Sequence, residues 1–234
     1  MSEENLQSRR YGRFTSGNGL VYPEFDENIH IIEPFCVPTE WQSGLSIDPG
    51  LNNPLSCHWY AVDGDGVIYV IAEHFEAGRS VEYHAEAIKE MCKKLGWQQD
   101  KFGKITALID SAAGQHTLNG TRSVAELFIE QGINVDTRVN KDLFSGINRV
   151  KAYLKPVTGA TKLYIFKNCV NLIREIKSYY WGNNDSPKKY DDHALDELRY
   201  FICSRPEPYR ENTEKSWVTL DKERLYRNLK RRRE

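Results

Sequence analysis

Apolar positions along this chain recur in short blocks, and the pattern changes near residue 43. Residues 1–42 show little periodicity. Pro23, Pro34 and Pro38 interrupt them, and the extended pieces Gly19–Tyr22 and Ile29–Ile32 stand between turn residues. This stretch reads as an N-terminal arm or linker. From Gly44 the texture changes. Leu45–Ile47 predicts a strand entering the turn Asp48-Pro49-Gly50, Leu55–Val62 a second strand, and Val67–His74 a third after the tight turn Asp63-Gly-Asp-Gly66. Three strands joined by turns make an antiparallel meander. Ser80–Leu95 then has helical spacing, with Ser80 as cap and Ala85, Ile88, Met91 and Cys92 on one face.

Beyond it, strands and helices alternate. Strands are predicted at Ile105–Ile109, Ile133–Val139 and Leu163–Phe166, and helices at Ser123–Gln131, Ser145–Leu154, Cys169–Tyr180 and Asp191–Cys203. Such repeats imply parallel pairing with crossover helices. The expected class is α/β, a mixed sheet flanked by helices over residues 43–205. Residues 206–234 weaken into a polar, basic tail.

Composition changes this picture little. With 234 residues, 40% hydrophobic and 28% charged, the chain suits one well-cored globular domain. No apolar run is long enough to cross a bilayer, so no membrane partner is expected. Met1-Ser-Glu-Glu4 lacks the order of a signal peptide, which predicts work inside a cell. Cys36, Cys57, Cys92, Cys169 and Cys203 form no Cys-x-x-Cys pair and are expected as reduced, mostly buried thiols. The net charge of -1 argues mildly against nucleic acid, whereas the Lys- and Arg-rich run Lys222–Arg233 argues the other way.

The chemistry lies in the carboxylates. Asp48 follows the first apolar strand, Asp110 ends Ala107-Leu-Ile-Asp110, and Asp196 stands on the last helix. A carboxylate ending an apolar strand sits at the sheet edge, wet but held in place. Neighbouring ones repel unless a cation joins them. Hard divalent ions such as Mg²⁺ or Mn²⁺ prefer such oxygen ligands. Two of them roughly 4 Å apart can activate water and stabilise the leaving oxygen of a phosphodiester. Each residue also has a plainer reading: Asp-Pro-Gly makes a turn, Asp110 can cap the next segment, and Asp192 with Asp196 can be a solvated helix flank.

Four stretches carry a resemblance: Leu45-Ser-Ile-Asp48-Pro-Gly50, Ala107-Leu-Ile-Asp110-Ser-Ala112, Gly146–Leu154, and Asp192-His-Ala-Leu-Asp-Glu-Leu-Arg-Tyr200. Together they resemble the nuclease domain of the large terminase subunit of tailed bacteriophages, whose fold is RNase H-like. The last stretch, Asp-His-x-x-Asp-x-x-Arg-Tyr, is the most specific. The resemblance implies a metal-dependent endonuclease that cuts concatemeric viral DNA during genome packaging, in the cytoplasm of the infected bacterial host. It implies Asp48, Asp110 and Asp196 as catalytic ligands of two divalent cations, Mg²⁺ or Mn²⁺, with His193 and Asp192 as further ligands or supports. Arg149, Lys151 and Lys155 become contacts to the phosphates of double-stranded DNA. In the whole protein the partners would be an ATPase domain, the small terminase subunit and the portal. Here no Gly-x-x-x-x-Gly-Lys-Ser/Thr loop occurs: Gly103-Lys104 is followed by Ile105, and position 98 is Gln. The chain is therefore expected to be a nuclease domain alone, without ATPase activity.

Two rivals remain at this point. One is a resolvase- or transposase-like nuclease of the same fold. The other is a catalytically idle module that docks DNA or the portal. The paired-carboxylate pattern speaks against an idle module. His58, His74, His84 and His116 lack ligand spacing, and Glu73 is a further acidic residue whose face the strand alternation leaves open.

Overall fold

A computed structural model describes residues 19–50, 53–115, 122–156, 159–182 and 186–205. His116, the basic tail and the first part of the arm lie outside them. The described residues form one seven-stranded sheet in the order β1-β7-β4-β3-β2-β5-β6. Its strands are β1 (Ile31–Ile32), β2 (Gln42–Asp48), β3 (Leu55–Val62), β4 (Ile68–Glu76), β5 (Ile105–Ile109), β6 (Ile133–Asp136) and β7 (Leu163–Phe166). The β2-β3-β4 meander is antiparallel. β5 joins β2 in parallel, β6 joins β5, and β7 joins β4. The mixed α/β sheet expected from the sequence is therefore present.

Helices cover both faces. They are α1 (Glu27–His30), α2 (Val81–Leu95), α3 (Val124–Glu130), α4 (Leu143–Leu154), α5 (Val170–Ser178) and α6 (His193–Cys203). α2 begins at Ser80, whose hydroxyl accepts from the Tyr83 N–H, and ends at Gly96, where φ is +60° and a side chain would be strained. Its inner residue Cys92 receives the indole N–H of Trp59 at 3.2 Å. α6 lies across β2 and β3 on the other face, beside α4 and α5. Every residue of β3 is buried because both faces are covered. On the α6 side those residues include the polar Ser56, His58 and Tyr60.

The close fit of α6 depends on glycine. A Cβ on Gly44 of β2 would stand 2.3 Å from the Phe201 ring. That ring stacks on Tyr60 with centroids 3.8 Å apart. The absent side chain lets the helix approach the sheet, and this approach brings its first turn to the ends of β2 and β5.

Several boundaries differ from the sequence pattern by a few residues, and three of them have clear local reasons. Residues 27–30 turn as a short helix, capped by Asp26 through the Asn28 N–H, so only Ile31 and Ile32 remain extended. β6 stops at Asp136 because the Asp136 carboxylate accepts from the Arg138 backbone and guanidinium. α4 starts two residues early, since Asp142 caps it by accepting from the Ser145 N–H at 2.6 Å. The five cysteines are free, with Cys57, Cys92 and Cys169 buried, Cys203 half-buried and Cys36 exposed.

Candidate metal centre

β2 and β5 run side by side in parallel, with Ile47 opposite Ile109, so both chains leave the sheet at the same edge. The next residue after each pair is an aspartate, Asp48 and Asp110. The Asp110 N–H donates to the Ile47 carbonyl at 3.2 Å and continues the ladder by one step. After Asp48 the chain must turn sharply: a Cβ on Gly50 would meet the Asn53 carbonyl oxygen at 2.3 Å. Asp110 also caps the short 3₁₀ turn Ser111–Gly114, accepting from the Ala112 N–H at 2.6 Å. The capping reading of Asp110 and its place at the sheet edge hold together.

α6 supplies the third side. Asp191, with φ +51°, bends the chain into it through the left-handed region that aspartate tolerates. Asp192 stands at its N-cap, and the first turn then carries His193 and Asp196. His193 Nδ1 meets Asp48 Oδ2 at 3.1 Å. Asp196 is ion-paired with Arg199, and the Tyr200 hydroxyl donates to Asp110 Oδ2 at 3.0 Å. One helix thus touches both strand-end carboxylates. Lys141, in the connection between β6 and α4, donates to Asp110 Oδ1 at 2.7 Å.

The electrostatics fit a crowded acidic edge. Burial raises the Asp48 carboxyl above its ordinary value; the negative fields of Asp196 and Asp110 push the same way, against the His193 hydrogen bond. Burial and Asp196 push Asp192 up to about 6. Asp110 behaves otherwise. Burial would raise it, but Lys141, the Ala112 N–H and Tyr200 together hold it below the usual range. His193 is raised by its hydrogen bond to Asp48. Two of these four groups therefore carry charge at a cost that a cation would relieve.

Of the residues read from the sequence, Asp48, Asp110, Asp192, His193 and Asp196 stand at one edge. Among the described residues, however, no three His, Cys, Asp or Glu side chains are arranged to hold a metal ion. Asp48, Asp110 and Asp196 are instead each engaged by a cationic or titratable side chain: His193, Lys141 and Arg199 respectively. Arg149, Lys151 and Lys155 are on or just after α4. The Arg149 guanidinium bonds the Arg205 carbonyl, Lys151 lies 3.8 Å from Glu24, and Lys155 is exposed. Glu73 belongs to a buried cluster with His58. The sequence reading missed Lys141, Glu175 and Glu197. Lys141 sits in a polar connection that resembles any solvated loop. The two glutamates look like ordinary helix-surface residues, and only the polar alternation Ser56, His58, Tyr60 in an otherwise apolar strand hinted that one of them is buried opposite.

The fold is shared with solved phage proteins. The large terminase of a thermophilic bacteriophage matches with TM-score 0.64 and 22% identity, over 87% of this chain and 52% of its own. The chain thus spans about half the length of that protein. The nuclease domain of the P22 large terminase matches with TM-score 0.67 and 20% identity, over 82% of this chain and 94% of its own. The large terminase nuclease domain of bacteriophage SPP1 with bound Mn matches with TM-score 0.50 and 16% identity, over 74% and 94%. No curated relative matches by sequence. Identities this low show the fold, which is RNase H-like. Residues 45–205, more than half of the chain and including both strand ends and α6, match the sequence model of the terminase RNase H-like domain, and the chain belongs to that family.

Proposed function

We propose that this chain is a divalent-metal-dependent DNA endonuclease domain that cuts concatemeric viral DNA into genome lengths during packaging. The observation that carries the proposal is the meeting of Asp48 and Asp110, from adjacent parallel strands, with the first turn of α6 at one sheet edge. The donor set suits the ion: carboxylate oxygens are ligands for Mg²⁺ or Mn²⁺, and Asp48 and Asp192, raised by burial and then by the neighbouring carboxylates, are groups whose charge a cation would stabilise. Asp48, Asp110 and Asp196 would hold two such ions, with His193 and Asp192 beside them. When bound, the ions supply an activated water and charge stabilisation for the departing 3′ oxygen.

The chain's own residues prepare that chemistry. Tyr200 fixes one oxygen of Asp110, and burial holds its phenol well above its ordinary value, so it remains a donor. Arg199 orients Asp196, and His193 orients Asp48. Lys141, 43% exposed at its side chain, is the cation that a phosphate at this edge meets first. Lys155 is a second exposed phosphate contact, whereas Arg149 and Lys151 already have protein partners. Among the described residues no base-reading element stands at the edge, so cutting should follow backbone contacts rather than sequence.

The large terminase of that thermophilic phage extends well beyond the half that this chain matches and has been seen with ADP, which supports an ATPase domain as the partner of this chain in the working protein. The small terminase subunit and the portal complete the proposed machine, in the cytoplasm of the infected bacterium. None of the described helices is long and apolar enough to cross a membrane.

The test is cleavage of supercoiled plasmid with Mn²⁺, Mg²⁺ or EDTA, comparing the wild type with Asp48→Asn, Asp110→Asn and Asp196→Asn. Metal-dependent nicking and linearisation that all three variants lose is the expected result. A folded wild type that leaves the plasmid intact under every metal would transfer the proposal to a docking module.

A further inference from the structure

Behind the acidic edge, three carboxylates outside the proposed ligand set are buried, and their contacts close on themselves. Glu197 of α6 is bonded by His58 Nδ1 and by the Tyr60 hydroxyl, the latter at 2.9 Å to Oε2, both from β3. The other ring nitrogen of His58 lies 3.3 Å from Glu73 on β4. Glu73 in turn accepts the N–H groups of Asn171 and Leu172, at 2.9 and 3.2 Å, in the first turn of α5. α5 carries Glu175, whose Oε2 accepts the N–H groups of Ala194 and Leu195, at 2.8 and 3.3 Å, in the first turn of α6. The path has returned to its starting helix. The side chains of His58, Glu175 and Glu197 are 0% exposed and that of Glu73 is 7% exposed.

Stability alone does not account for this ring. Removing such ions from water costs several kcal/mol each, and well-packed apolar side chains of similar volume commonly hold elements together as well or better. What apolar packing does not fix is a helix's rotation and axial register, because it lacks direction. Hydrogen bonds supply that. α6 is pinned at Ala194 and Leu195 from one side and at Glu197 from the other, and a further contact from Ser46 of β2 to the Glu197 carbonyl holds it at 3.4 Å. Asp196 lies between the pins, and His193 immediately precedes them. A rotation of α6 would carry both away from Asp48, while the hydrophobic contacts could adjust.

We propose that Glu175 and Glu197 are positioning residues for the metal centre, setting where His193 and Asp196 stand relative to Asp48. The inference rests on the metal-nuclease reading above. Glu175 works as an acceptor rather than as an anion: one oxygen takes both N–H groups, and the other, Oε1, has no hydrogen-bond partner and only the exposed Arg174 guanidinium at 3.6 Å. A glutamine carries the same acceptor.

The experiment measures Mn²⁺ affinity by isothermal titration calorimetry, and the Mn²⁺ dependence of plasmid nicking, for the whole chain and for Glu175→Ala, Glu175→Gln and Tyr60→Phe. Melting in EDTA reports folding. Glu175→Ala is expected to raise the half-saturating Mn²⁺ about tenfold or more, as loss of a residue supporting metal ligands does, with a much smaller fall in rate at saturating Mn²⁺. Glu175→Gln should return close to wild type. Tyr60→Phe keeps the ring on Phe201 and removes only the hydroxyl from Glu197, so it should fold and shift the midpoint the same way by less; it carries the test if Glu175→Ala does not fold. Unchanged Mn²⁺ affinity in the folded variants overturns the positioning role. So does an equal loss in Glu175→Gln and Glu175→Ala. A wild type that binds no Mn²⁺ overturns the nuclease reading, and this inference with it.

Discussion

The molecule holds two groups of carboxylates on either side of α6, and they solve the problem of negative charge in opposite ways. At the outer edge, Asp48, Asp110, Asp192 and Asp196 are partly buried and lie close to one another; burial above all, and then the neighbouring carboxylates, raise Asp48 and Asp192. Inside, Glu73, Glu175 and Glu197 are kept apart by the imidazole and by backbone N–H groups at the starts of two helices. In the inner group every carboxylate oxygen except Glu175 Oε1 has a hydrogen-bond partner from the protein. In the outer group Asp48, Asp110 and Asp196 have partners, but His193 and Lys141 are partly exposed and exchangeable. α6 takes part in both sets, through Asp196 and through Glu197, and the two sets divide two duties, one holding position and the other remaining free to bind.

If that division is right, breaking the inner group should cost stability and breaking the outer group should cost activity. The largest effect is expected for Glu197→Ala. It leaves His58 and Tyr60 buried without their acceptor, and the loss of one partner of a buried pair costs about 3–5 kcal/mol. Urea denaturation at pH 7 checks this; a loss under about 1 kcal/mol would mean that water enters and the ring carries little. Next comes Asp48→Asn. Its metal-dependent cleavage should fall at least about a hundredfold, the upper end of what even supporting residues of metal sites cost. Its unfolding midpoint without metal should stay at or above that of the wild type, because a repelled charge has been removed. A variant that lost stability together with activity would erase the distinction.

Gly44→Ala tests the contact that lets the helix reach the edge at all. The added Cβ forces the Phe201 ring off Tyr60. Overpacking of this kind costs about 1–3 kcal/mol. Because the strain falls on the helix bearing Asp196, Mn²⁺ affinity should weaken too, which calorimetry would detect. A wild-type Mn²⁺ isotherm from a destabilised Gly44→Ala would show that Phe201 moves without α6.

The two groups also differ in how far the sequence revealed them. Asp48 and Asp110 were legible because a carboxylate closing an apolar strand has few places to go except the sheet edge. The spacing Asp192, His193, Asp196 could be assigned to one helical turn for a similar reason. The inner ring was not legible. Nothing in the local spacing of Glu175 and Glu197 marks them as buried, and their burial depends on helices from distant segments crossing one sheet. His58 meets a residue 139 positions away. Lys141 reaches Asp110 across 31 positions, from a loop whose path no periodicity constrains. Local pattern found what ends an element, and missed what one element does to another.

The smallest expected effect is also the most diagnostic of the outer group. Asp192 precedes α6 without capping it by its side chain, so an asparagine there removes charge and little else. Its folded value of about 6 lies above the ordinary 3.8. A carboxyl raised on folding stabilises the protein below its unfolded value and loses that contribution as pH rises through the folded one. Wild type and Asp192→Asn should therefore be equally stable at low pH. They should diverge as pH passes from about 4 to about 6, and above that the variant should be more stable by about 1–2 kcal/mol, the full shift of about 3 kcal/mol being reduced by solvent screening of a partly exposed group. Denaturation in EDTA at several pH values gives the curve. Adding Mn²⁺ at pH 7 should then shrink or reverse the gap, because a ligand bound by the folded state stabilises the chain that keeps its negative charge more. A variant less stable than the wild type above pH 6 would instead mean that Asp192 is stabilised by its partners rather than strained by burial and its neighbours. A gap that Mn²⁺ leaves untouched would make Asp192 an acidic neighbour of the site and not one of its ligands.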